Sequence, residues 1–236
     1  MGTKSWRGAR VTAPLALVAA AAALTAGCSG GNSTVAAPAF SPSPSSVAST
    51  SSATAAVLTR AERTLAAQRS YAYTALETVQ AKTPTATRIS GVVVRKQGVS
   101  YTLTVGHVRT QVVRLRGATY VRKVPGRWAK LRTAHRVADP ISTLDAVLHG
   151  LTGAVATGPS TVGTSVAGEL PPAAAKAAGI PTDGTPAQVV LDLDPAGHVT
   201  RLTVHTATIA GAAHIAVTLN TNYSRFGRVR TIVKPA

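Results

Sequence analysis

Residues 199–220 read VTRLTVHTATIAGAAHIAVTLN, and the spacing of their apolar side chains decides the fold. Leu202 and Val204 alternate with Arg201, Thr203 and His205. Ile215, Val217 and Leu219 alternate with His214, Thr218 and Asn220, and Ala210-Gly211 separates the two runs. A period of two marks strands buried on one face only, and a short Gly-containing break between them marks an antiparallel hairpin.

The same pattern extends toward the N-terminus. Tyr101, Leu103 and Val105 alternate with Ser100, Thr102 and Thr104. Further strands are predicted over 71–80, 86–96, 109–115, 118–124 and 187–193. The turns between runs carry suitable residues: Lys96-Gln97-Gly98, Arg116-Gly117, Pro125-Gly126 and Asp194-Pro195-Ala196-Gly197. Three segments change to a helical period. In 55–68, Val57, Leu58, Ala61, Leu65 and Ala66 share a stripe; in 140–151, Ile141, Leu144, Val147, Leu148 and Leu151 do so; a short helix is predicted over 172–178 after a Pro pair. Helix, strands, helices and strands again give an α+β chain, with one long antiparallel sheet and helices on one face.

Composition bounds the function. The chain has 236 residues, 25 Lys+Arg against 8 Asp+Glu, and a formal charge of +17. Its one cysteine excludes a disulfide scaffold, a Cys-based zinc site and an iron–sulfur cluster. A 45% apolar share is too high for a wholly disordered polybasic chain. No apolar run after the N-terminus approaches the ~20 residues of a spanning helix.

The N-terminus reads as an address. Lys4, Arg7 and Arg10 precede an apolar run from Val11 to Ala23, and Leu24-Thr25-Ala26-Gly27 leads to Cys28. That is the layout of a secretory signal peptide. The run before Cys28 resembles a permissive bacterial lipobox, with Thr25 where Leu is usual. Residues 1–27 are therefore expected to be removed and Cys28 to be acylated. The protein would then be exported and anchored by lipid to the outer face of the cell membrane. Loss of three cations leaves 22 basic against 8 acidic residues, a charge of +14. Residues 28–54, rich in Ser, Pro, Ala and Gly and free of charge, are expected to form a flexible tether. At ~5–6 Å × √n it would hold a domain of residues 55–236 roughly 25–30 Å from its anchor.

From about residue 57 onward the ordered pattern resembles the actinobacterial LppX/LprAFG lipoprotein family, which shares a half-barrel with the carriers LolA and LolB. The resemblance rests on Cys28 and the tether, then a helix leading into Tyr71-Ala72-Tyr73, then YVRKVPGRWAKL at 120–131. A helical region from Asp139-Pro140 to Leu151 and a strand at Gly163–Gly168 follow. Asn222-Tyr223-Ser224-Arg225-Phe226-Gly227 and the final Val233-Lys234-Pro235 match the family's closing strand and tail. The resemblance implies a single curved antiparallel sheet, a half-barrel, with helices packed on its concave face around an apolar cavity. It implies a lipid or glycolipid ligand carried between envelope layers, and an envelope transporter as a candidate partner. The expected cavity residues are Tyr101, Leu103, Val105, Val113, Leu115, Leu144, Leu148, Leu202, Val204, Ile215, Val217 and Leu219. An acyl chain needs only apolar area, at roughly 0.8 kcal/mol per buried CH₂. Without the resemblance the residues favour a filled core, which would make the protein an adaptor or sensor; the resemblance reverses that preference.

The charge is unevenly placed. Between Glu77 and Asp139 the chain has thirteen basic residues and no acidic one. Arg114 and Arg116 flank Leu115 and are expected to point outward with one of Arg122 and Lys123. A solvated face, contact with anionic lipid headgroups and contact with an anionic polymer all fit. Export argues against nucleic acid, and the basic run lacks an interleaved aromatic platform beyond Tyr120 and Trp128.

The sequence offers no catalytic constellation. The six His residues lack His-x-x-x-His spacing, although His205 and His214 are candidates to face each other across the last hairpin. Asp192-Leu193-Asp194 before Pro195 and Gly197 reads as a strand entering a turn rather than a calcium loop. Glu62, Glu77 and Glu169 are too dispersed for an acid/base pair, so a non-enzymatic protein without cofactor or metal is expected.

Overall fold

The computed structural model describes residues 51–131, 140–160, 163–210, 213–228 and 231–236. The chain opens with helix α1 (Ser52–Ala67) and continues through strands β1 (Ser70–Gln80), β2 (Thr85–Val94), β3 (Gly98–Val105), β4 (Val108–Leu115), β5 (Ala118–Val124) and β6 (Ala129–Leu131). Helix α2 (Pro140–Gly150) precedes β7 (Thr152–Ser160) and β8 (Gly163–Leu170). A short α3 (Pro172–Ala177) leads to β9 (Ala187–Leu193), β10 (Val199–Ala210) and β11 (Ala213–Ser224). All eleven strands join one antiparallel sheet in the order β6-β5-β4-β3-β2-β1-β11-β10-β9-β8-β7.

This order is two meanders joined at the middle. Strands β1 to β6 step outward to one edge, and β7 to β11 step inward from the other until β11 pairs with β1. The chain must pass from one edge to the opposite one between β6 and β7, and α2 lies on that passage. A long meander with the usual strand twist coils instead of staying flat, which supplies the concave face. The expected α+β half-barrel with helices on one face is the observed architecture.

The helices cover that face through narrow stripes. On α1 the buried residues Thr54, Ala61 and Leu65 recur at helical spacing. Ser51 caps the helix by accepting from the Thr54 backbone N–H at 3.3 Å, which starts α1 three residues before the predicted position. The Thr54 hydroxyl accepts from Ala156 N at 3.1 Å and ties α1 to β7. At the other end, Arg95 donates from Nη2 to the Leu65 carbonyl at 2.9 Å, a cation on a helix C-terminus. On α2, Leu144, Val147 and Leu148 are buried. A Cβ at Gly150 would stand 2.7 Å from Ala174 Cβ, so glycine permits the close approach of α2 and α3.

Two strands escaped the sequence reading. Strand β6 has only three residues. Strand β7 reads TGAVATGPS, with Gly and Pro and no alternation; its pairing with β8 shifts register twice, and it sits at the sheet edge, where Pro costs no ladder bond. Residues 1–50, with Cys28, lie outside the described residues, as does Asp139.

Candidate ligand cavity

Strand β1 carries Tyr71, Tyr73, Ala75 and Glu77 at alternate positions, all buried on the helix-covered side. Registry with β11 sets Tyr73 opposite Tyr223, Ala75 opposite Thr221 and Glu77 opposite Leu219. These strands form the floor of a cavity of about 80 Å³. Val217 and Leu219 of β11 and Thr206 of β10 extend the floor, while Thr143 of α2 and residues 178–181 after α3 form the roof. Burial of Tyr223 raises its phenol well above the usual range, so the ring acts as a neutral wall. Its edge meets Tyr71 at 5.6 Å and 76°. Tyr73 passes over Gly91, where a Cβ would stand 2.9 Å from the ring and 2.6 Å from Tyr101 Cβ.

Glu77 is the unusual wall residue. It is only 5% exposed. Among the described residues it has no hydrogen-bond or ion-pair partner, and desolvation raises its pKa above the ordinary 4.5. Thr143 and Thr206 are polar in composition but spend their protons within the protein. Thr143 donates to the Ala178 carbonyl at 2.8 Å and Thr206 to the Pro181 carbonyl at 3.0 Å.

The expected cavity residues divide into four groups. Val217 and Leu219 line the cavity, and Ile215 shares their strand face. Leu144, Leu148, Leu202 and Val204 belong to the filled core between helix and sheet. Tyr101, Leu103 and Val105 lie on the same face farther along the sheet, with Val105 37% exposed. Val113 and Leu115 lie on the opposite face, because Tyr101 pairs with Val112 and Val99 with Arg114. The Val112-Val113 doublet hid this phase. Tyr73, Glu77, Tyr223 and residues 178–181 were missed. The signal for Glu77 was its place in the apolar phase of Tyr71, Tyr73 and Ala75.

The basic residues do not form one cluster. Arg114 sits in the inward phase beside Tyr101, correcting the outward expectation. Burial pushes the Tyr101 phenol up to about 12, and the Arg114 charge opposes that shift. Arg114, Arg116 and Lys96 border an open groove of about 320 Å³ at the β2–β3 and β4–β5 turns. Arg116 Nε also donates to the Lys96 carbonyl at 2.9 Å. Arg122 lies on the other face, donating to Gln111 Oε1 at 2.5 Å and stacking on Trp128 at 4.8 Å. Lys123 pairs in register with Thr110, in the phase of Arg114.

His198, His205 and His214 serve local pairing. His205 lies opposite Thr218 and His214 opposite Ile209, so the two do not face each other. His214 pairs with Asp183 at 2.7 Å, and His198 with Asp194 at 2.8 Å. Asp192 binds Arg201 at 2.6 Å and accepts from the Ser165 hydroxyl. Among the described residues no group of three or more His, Cys, Asp or Glu could hold a metal.

No family profile matches the chain, and no curated protein matches it. Solved structures do. LprF from Mycobacterium bovis superposes with a TM-score of 0.55 at 14% identity, over 80% of this chain and 99% of that one. A LolA superfamily protein from Nitrosomonas europaea gives a TM-score of 0.35 at 9% identity, over 76% and 94%. The Pseudomonas aeruginosa MucA/MucB complex gives 0.33 at 16% identity, over 72% and 57%. The likeness to LprF spans nearly all of that protein, and this chain has the LprF fold, the architecture that its resemblance to the LppX/LprAFG family implied.

Proposed function

We propose that this protein is an exported lipoprotein, anchored through acylated Cys28 and a tether of residues 28–54, that binds a lipid or glycolipid on the concave side of its half-barrel and carries it between envelope layers. The observation that carries this reading is the apolar cavity between β1, β10, β11 and the α2–α3 roof, on a fold shared with LprF. At about 80 Å³ it is smaller than the ~300–1,000 Å³ usual for ligand sites. A full acyl chain therefore enters only when the roof moves outward, as lids do in many binding proteins. The segment 78–138, with thirteen cations and no carboxylate, favours approach to anionic headgroups.

The test uses Cys28→Ala protein exported in its native envelope, extracted with organic solvent and analysed by mass spectrometry. A stoichiometric lipid supports the carrier; lipid-free protein contradicts it. The second reading is an adaptor with a filled core, favoured by the dense packing of Leu144, Leu148, Leu202 and Val204. It predicts a protein or anionic-polymer partner lost on charge reversal at Arg114, Arg116 and Arg122, with no lipid extracted.

A further inference from the structure

We infer that Glu77 makes the cavity selective for apolar ligands whose buried end is a neutral hydrogen-bond donor, a hydroxyl or amide N–H, and against those ending in a carboxylate or phosphate. This deepens the lipid-binding reading and rests on it. The cavity wall combines three features. Glu77 is nearly solvent-free and lies on the floor opposite Leu219, with no partner among the described residues. Thr143 and Thr206 have given their single protons to the Ala178 and Pro181 carbonyls, so their oxygens can only accept. Among the described residues no Lys, Arg or His lines the cavity, and its other titratable groups are the phenols of Tyr73 and Tyr223.

A wall with one carboxyl, neutral hydroxyls on Tyr73, Thr221 and Tyr223, and no cation among the described lining residues has a definite preference. An anionic end leaves its own charge without a counter-ion among the described lining residues, and must be stripped of water. Two anions so placed cannot both stay ionised. An ammonium meets no like charge, but stripping two ions of water for one contact has a large desolvation cost. A hydroxyl costs little to dehydrate and donates to Glu77. When Glu77 is protonated, the hydroxyl can also accept from it, since a neutral carboxyl carries one O–H. Burial favours that protonated form. The same wall discriminates by penalising the wrong ligand as well as by holding the right one.

The experiment uses full-length Cys28→Ala protein at pH 7 with two probes of equal chain length, 1-dodecanol and laurate. Binding of each is read by calorimetry, with uptake of a neutral apolar dye measured in parallel. Wild type is expected to bind dodecanol at least tenfold more tightly than laurate. Glu77→Leu should weaken dodecanol about tenfold, the equivalent of one buried hydrogen bond, and bring the ratio near one. Glu77→Gln, which keeps hydrogen-bonding capacity, should retain most of the dodecanol affinity. A ratio near one in wild type overturns the inference, and so does a ratio unchanged by Glu77→Leu. Dye uptake with a ratio near one removes the selectivity alone. Absence of dye, dodecanol and laurate binding removes the lipid-binding reading and the selectivity together. Because the wild-type ratio is decisive without any variant, the test survives a variant that fails to fold.

Discussion

The half of the sheet made by β8 to β11 differs from the half made by β3 to β6 in what covers it and in how its charges are met. In the first half Val166, Val189, Leu191, Leu202 and Val204 have no solvent exposure. Its acidic groups are partnered: Asp183 with His214, Asp192 with Arg201, Asp194 with His198, and Glu169 with Gln188. In the second half Leu103 and Val121 are only partly buried and Val105 and Val108 are exposed. Its cations turn to backbone carbonyls, to Gln111 or to an aromatic ring, as Arg116 and Arg122 do. The first half is almost wholly core, while in the second the buried Val99, Tyr101 and Val112 give way to an exposed end at Val105 and Val108 with basic residues on both faces. The cavity lies where the halves meet, on β1, β11 and β10, and Glu77 is the acidic residue there without a partner.

Core truncation should separate the halves most strongly. Leu202→Ala is expected to lower stability by about 2–5 kcal/mol, because it leaves a void where nothing can collapse. Leu103→Ala, on the second half, should cost less than about 2 kcal/mol. Urea titration measures both, and equal losses would erase the distinction. Next in size is Asp192→Ala, which strips Arg201 and the Ser165 hydroxyl of their partner. A loss of about 1–3 kcal/mol is expected.

Glu77 supplies a smaller effect with a definite sign. Its folded pKa lies above its unfolded value, so the folded state holds the proton more firmly. That contribution is fully present below the ordinary carboxylate pKa and is lost as pH rises through the raised one. Wild-type stability should therefore decline above about pH 4.5 relative to Glu77→Gln. Parallel profiles for the two proteins would show that Glu77 is solvated. The smallest stability change belongs to the basic residues of the second half. Arg116→Gln and Lys123→Gln, both exposed, should each shift stability by no more than about 0.5 kcal/mol. Each should nonetheless weaken binding to phosphatidylserine vesicles about fivefold at low salt, and sedimentation with the vesicles reads the loss. Unchanged vesicle binding would reduce them to a solvated face.

What was legible in the sequence follows from the same physics. Strands covered on one side only, such as β3, β10 and β11, alternate cleanly, and their positions were readable. The phase of β4 is ambiguous in the sequence because Val112 and Val113 are both apolar, and Leu115 suggests the wrong one. Turn length carried the answer: Gly106-His107 is a two-residue connection that places Val105 opposite Val108, and hence Tyr101 opposite Val112. Strand β7 was unreadable because an edge strand tolerates Gly, Pro and bulges. The cavity was beyond the sequence because it depends on how far the roof after α3 stands from β11. Alternation cannot tell a filled space from an empty one. Glu77 was visible as an acid in an apolar phase, and only burial makes that position consequential.

On the proposed function, the concave side holds a lipid at the seam between the two halves. Native mass spectrometry of exported Cys28→Ala protein, with and without a cavity-filling Ala75→Phe substitution, tests it most directly. A lipid adduct is expected on the parent protein, and its loss on the folded Ala75→Phe variant. A parent protein without adduct, or an adduct that persists when the cavity is filled, would contradict it.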